Sequence, residues 1–210
     1  MNNIARAKRN IRAVISGSNV PEDSRHSENT LEWLLKLDPE ADQALQIAAL
    51  AHDIDRAVEP RKVRRSDYID YDTFKAAHAC NGAKILREIL DKCAVTRSIA
   101  DEACRLVRLH EVGGDPRSDL LKDADSISFF EVNMPLYYQR EGWEETKRRC
   151  IWGYQRLSAC AKKVIKNLTY QDEVLTRLLN ESLQAACNDS LICQTEHTYL
   201  NEQKVKVDEK

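Results

Sequence analysis

Apolar residues recur along most of this chain at intervals of three and four, the spacing of one face of an α-helix. Ile4, Ala7, Ile11, Val14 and Ile15 form the first such stripe, and Gly17 is a natural stop. Pro21-Glu22-Asp23-Ser24 reads as a helix start, with a proline in the first turn and acids where the dipole favours them. The helix it opens carries His26, Asn29 and Trp33 on one face and ends before Pro39. From about Glu40 to Asp53 the chain is apolar almost all round, which places that helix in the middle of a packed domain. Residues 57 to 72 are basic, contain Pro60 and lack a clean period, as expected of a long functional loop. Helical spacing returns from Thr73 to about Lys92 and from Thr96 to Glu111, and Gly113-Gly114-Asp115-Pro116 ends the latter. A further helix opens at Ser118 or Asp119 and is interrupted by Pro135. One amphipathic stretch is expected over Trp143 to Asn167, and a last helix over 171 to 187. No strand-like alternation and no repeat period appear, so the expected fold is all-α, a single-domain helical bundle.

The domain is expected to span 1 to 187, with C-terminal helices over 141 to 187. From 188 to 210 hydrophobicity drops, and a polar, mobile tail is expected. Apolar residues make up 42% of the chain, enough for a core, and six Gly with five Pro suit helices. A net charge of −2 argues against general nucleic-acid binding. With no apolar signal core and no run of eighteen apolar residues, the expectation is a cytoplasmic protein without a membrane partner. The seven Cys lack any Cys-x-x-Cys spacing and read as small buried hydrophobes.

Candidate chemistry begins where the apolar helix ends, at His52-Asp53. A carboxylate leaving a core costs several kcal/mol unless a cation meets it, and a metal ion would satisfy both residues. Four of the five histidines, His26, His52, His78 and His110, lie on apolar faces of different helices; His197 falls in the polar tail. Helices of a bundle can aim such side chains at one point.

His26, then His52-Asp53, then an aspartate in the segment Lys122-Asp123-Ala124-Asp125 resembles the HD superfamily of metal-dependent phosphohydrolases, over about residues 20 to 135. The family's last aspartate follows alanine, as Asp125 does. Asp123, two residues back, faces elsewhere on a helix and is the alternative. The resemblance implies one ion on His26, His52, Asp53 and Asp125. By analogy with branches that carry two further histidines, it implies a second on Asp53, His78 and His110. The Gly-Tyr-Pro signature of the cyclic-dinucleotide branch is absent. The implied activity is hydrolysis of a nucleotide or other small phosphate ester by metal-activated water. The ion is divalent, one or two of Mn, Fe, Zn, Co or Ni. Asp53, Asp55 and Arg56 are the catalytic candidates; Asp55 could equally be a supporting partner or an Arg56 mate. Arg25, Arg61, Arg64 and Arg65 are candidates for substrate phosphate, and Tyr68 and Tyr71 for stacking on a base. Two other readings stay open: di-iron oxygen chemistry on the same ligands, or a non-catalytic module with a structural metal.

Overall fold

A computed structural model describes residues 2–188 and is helical, with no strand among them. The expected all-α class is therefore found. No described helix is long and apolar enough to cross a membrane. The tail expected to be mobile, with His197, lies outside the described residues apart from its first residue. The chain divides into two compact units, Met1–Leu136 and Tyr137–Lys210.

In the first unit α1 spans Asn3–Ile15, α2 Asp23–Leu37, α3 Gln43–Ala51, α4 Tyr71–Lys92, α5 Arg97–Leu109 and α6 Pro116–Ser128. α3 lies at the centre, against α1, α2, α5 and α6, while α4 packs on α5 and α2 on α6. Ala44, Leu45 and every residue from Ile47 to Ala51 are buried, so α3 has only one polar face residue, Gln46, in its middle. It starts later than the sequence suggests because Asp42 caps it, accepting from Leu45 N at 3.0 Å. α6 likewise starts earlier, at Pro116, because Asp115 and Ser118 form a capping box.

One expected break falls elsewhere. Pro135 does not interrupt the chain; Met134–Gln155 is helical (α7) and follows a single π-helical turn, Phe129–Asn133. The wider turn accommodates a residue that has no N–H to donate. The break comes at Gly142, whose φ of 77° suits glycine alone.

The second unit holds the rest of α7, α8 (Ala159–Lys166) and helical residues 173–188. The single stretch expected over Trp143 to Asn167 is two helices, because Ser158 caps α8 by accepting from Ala161 N at 3.2 Å. Lys147 pairs with Glu181 at 3.1 Å across this unit. The cysteines correct another expectation. Cys93, Cys104 and Cys150 are buried, but Cys80, Cys160 and Cys187 are exposed, and all six are free thiols.

Candidate metal centre

α3 and α5 finish in the same way. Each is closed by a histidine at its C-cap, His52 and His110, followed by an acid, Asp53 and Glu111. Each imidazole turns its Nδ1–H back onto the carbonyl three residues earlier, His52 on Ala49 O at 2.9 Å and His110 on Val107 O at 2.7 Å. His26 on α2 donates Nδ1–H to Ser128 Oγ at 2.8 Å, whose own proton goes to His26 O at 3.2 Å. His78 on α4 donates Nδ1–H to Asp55 Oδ2 at 2.9 Å. With every Nδ1 used as a donor, a neutral ring in each case presents the Nε2 lone pair inward.

What meets those four nitrogens is more negative charge. His26 Nε2 and His52 Nε2 stand 3.0 Å apart, with Asp125 Oδ1 at 3.1 and 3.3 Å from them. Asp53 Oδ2 lies 3.8 and 3.7 Å from the same two nitrogens. The other oxygen of Asp53, Oδ1, faces the second pair, at 2.9 Å from His78 Nε2 and 3.9 Å from His110 Nε2. Glu111 Oε1 is 3.2 Å from His110 Nε2. All four rings are buried, and His110 Nε2 is buried without a hydrogen-bond partner. The cluster thus forms two neighbouring sets, His26–His52–Asp125 and Asp53–His78–His110–Glu111, with Asp53 presenting one oxygen to each.

Such a set of lone pairs and carboxylates needs positive charge between them. Two routes supply it: protons or a cation. Without a cation, burial disfavours the His52 imidazolium, but Asp53 and Asp125 outweigh that and raise its pKa to about 9. Burial likewise opposes the charged His78, yet Asp53 and Asp55 lift it to about 9. Burial would raise Asp53, but Arg56 and His52 hold it well below the usual carboxylate range; His52 and His26 do the same for Asp125. Glu111 is kept low by Lys75 and His110 against its burial. The carboxylates are therefore ionised and ready as ligands.

The residues present also fit a metal. Donor atoms bound to one ion at about 2.1 Å stand roughly 3.0 to 3.4 Å from one another. His26, His52 and Asp125 already hold that spacing, and the orphaned Nε2 of His110 supplies a ligand to the second set. Asp55, His78 and the cluster form a carboxylate–histidine–ligand relay of the kind that fixes a metal-bound ring. Asp55 is fully buried and also accepts from Asn81 Nδ2 and from Val63 N at 3.3 Å. Gly82, one turn beyond His78, faces the ends of α3 and α5, where a Cβ would sit in ordinary contact with His52 O at 3.5 Å and Val107 Cγ1 at 3.6 Å.

The structure brings together all six residues expected to hold metal, His26, His52, Asp53, His78, His110 and Asp125. Asp123 is buried but belongs to neither set. Asp55 faces the outer side of His78, the supporting-partner role among those open to it, and Arg56 pairs elsewhere. Arg56 spreads its guanidinium over Asp53 Oδ2 at 2.7 Å and Asp23 Oδ1 at 2.9 Å, so it anchors Asp53 with both arms occupied. The remaining arginines do not converge on the cluster. Arg25 pairs with Glu32 at 2.7 Å and Arg61 with Glu88 at 2.8 Å on exposed faces. Arg65 donates to Tyr68 O at 2.5 Å, and Arg64 is exposed. Tyr68 and Tyr71 pack around Phe74, which stacks on His78 with ring centroids 6.3 Å apart. Glu111 was not expected. Its signal was present, a second His-acid doublet at a helix end like the first.

Residues 4–178 match the family described as a domain of unknown function, DUF4202. The chain belongs to that family. No curated protein and no solved structure matches it. In this DUF4202 chain the matched region contains every residue of the cluster.

Proposed function

We propose that this chain is a metal-dependent phosphohydrolase of the HD type, acting on a nucleotide or another small phosphate ester. One observation carries the reading: four imidazole Nε2 atoms, each fixed by its Nδ1 partner, converge with ionised carboxylates in the order His…His-Asp…Asp. His26, His52, Asp53 and Asp125 would hold the first ion, and Asp53, His78, His110 and Glu111 a second. A divalent ion so held polarises a phosphoryl oxygen and brings the pKa of a water toward neutrality.

The chain's own residues supply orientation and charge. Ser128 and the carbonyls of Ala49 and Val107 fix three rings, and Asp55 fixes the fourth. Arg56, braced by Asp23, holds Asp53 Oδ2 while Asp53 Oδ1 faces the second set. The side chains of Asp53 and Asp125 keep 17% and 21% of their surface exposed while the rings are sealed. A substrate phosphate therefore approaches from the carboxylate side.

The test is phosphate release from a panel of nucleoside phosphates, small monoesters and diesters, with protein loaded in turn with Mn, Fe, Co, Ni or Zn. Turnover of at least one substrate, abolished by Asp53→Ala, is expected. No release from any of them by metal-loaded protein would contradict the proposal, and oxygen consumption by an iron-loaded pair would replace it with di-iron chemistry.

A further inference from the structure

Glu111 has its charge met by a side-chain cation from a different helix, Lys75, as Asp53 has Arg56. It is 5% exposed, too deep to stand ionised without a cation. Lys75 sits three residues before His78 on α4, so the two side chains leave the same face of that helix and reach the end of α5 together. The ammonium pairs with Glu111 Oε1. That oxygen is also the one 3.2 Å from the orphaned Nε2 of His110. One carboxylate oxygen thus faces both a tethered cation and the buried Nε2 of a neighbouring ring. The first set, His26, His52 and Asp125, has no lysine against it among the ion pairs of the described residues.

We propose that Lys75 is a built-in substitute for the second metal ion: its ammonium and that ion compete for Glu111 Oε1, so the second site fills only when Lys75 swings away. The inference rests on the metal reading given above and adds a filling order. His26, His52 and Asp125 face one another, whereas Lys75 has to be displaced bodily from a site where it neutralises a buried acid. The His26–His52–Asp125 site fills first, and the site containing Glu111 fills second and more weakly. Lys75 reaches solvent with 17% of its side chain, and the Tyr71 ring, its centroid 5.7 Å from Nζ, offers the ammonium a second partner once it leaves Glu111.

The test is calorimetric titration of the whole chain with Mn²⁺ alone, backed by electron paramagnetic resonance for the coupled pair of ions. The wild-type chain is expected to take two ions in separable steps. Lys75→Met should tighten the second step by roughly tenfold or more and leave the first unchanged, because a buried acid freed of its partner binds the competing cation better. Lys75→Arg should keep the second step weak, and Glu111→Gln should remove it while the first remains. Melting followed by circular dichroism gives an independent readout, with Mn²⁺ raising the midpoint of Lys75→Met more than that of wild type. A second step that is unchanged or weaker in Lys75→Met overturns the proposal, since a lysine that merely props Glu111 in place would act that way. One ion per chain in both proteins overturns it too while leaving the metal reading intact. No ion in the wild-type chain overturns both.

Discussion

Metal uptake by this protein should expel protons, and the size of the effect follows from His52. In the metal-free chain its pKa stands at about 9, raised from an ordinary 6.5 by Asp53 and Asp125 against the opposing effect of burial. At pH 7 the ring is therefore protonated, and an ion has to displace that proton to reach Nε2. Two pH units below the pKa, the displacement costs about 2.7 kcal/mol, a factor of about a hundred in affinity. The apparent affinity for the first ion should rise about tenfold for each pH unit between 6 and 8, and level off above about 9. His78, also at about 9, adds a second proton when the second ion enters. The sign for stability follows from the same shift. Both histidines have folded-state values above their unfolded ones, so their stabilisation of the metal-free fold is complete below about pH 6.5. It is lost as pH climbs through about 9. The melting gap between metal-loaded and metal-free protein should accordingly widen over that window. Titration with Mn²⁺ at pH 6, 7 and 8, in buffers of different ionisation enthalpy, counts the protons directly. A dissociation constant that moves less than about twofold over this range, with no proton release, would refute the electrostatic picture of the site.

Two further outcomes follow from particular contacts. Asp55→Asn keeps an acceptor for His78 Nδ1 but removes the charge behind the ring, so affinity for the second ion should fall by roughly ten- to a hundredfold; titration with Mn²⁺ showing no change would mean His78 is not held through Asp55. Leu50→Ala removes a fully buried side chain near the C-terminal end of α3 and should cost about 2 to 5 kcal/mol in chemical denaturation, and a loss under about 1 kcal/mol would show that α3 is not the centre of the core.

Much of this arrangement was legible because periodicity and chemistry agreed. α3 reads as buried from its own composition, and a His-Asp pair at its end stands out because charge at a core boundary needs a reason. The same logic applied to α5 would have found Glu111. His110 stands out in the sequence as a histidine on an apolar face, and an acid beside it at a helix end is ordinary enough to carry no signal of its own. The arginines failed for the opposite reason. A guanidinium near a ligand in sequence is free to turn to any carboxylate within reach, and Arg25 and Arg61 found Glu32 and Glu88 on the surface. Arg56 lies beside the site, yet its partners are Asp53 and Asp23, the latter thirty-odd positions upstream. Pro135 misled because a proline's effect depends on the turn before it, and the π-helical turn at 129–133 leaves no signal in spacing. Ser158 shows how little it takes to divide a long amphipathic stretch: one capping hydroxyl starts a new helix.

The central claim is that the imidazoles of His26 and His52, with Asp53 and Asp125, surround a cation. Elemental analysis of the whole protein purified without chelator, beside His52→Ala prepared identically, tests it most directly. The account predicts one or two equivalents of a divalent transition metal in the wild-type chain and a lower melting midpoint after its removal, with the metal lost from the variant. A folded wild-type protein carrying no stoichiometric metal, taking up none of Mn, Fe, Co, Ni or Zn on addition, and melting identically with and without chelator would contradict it.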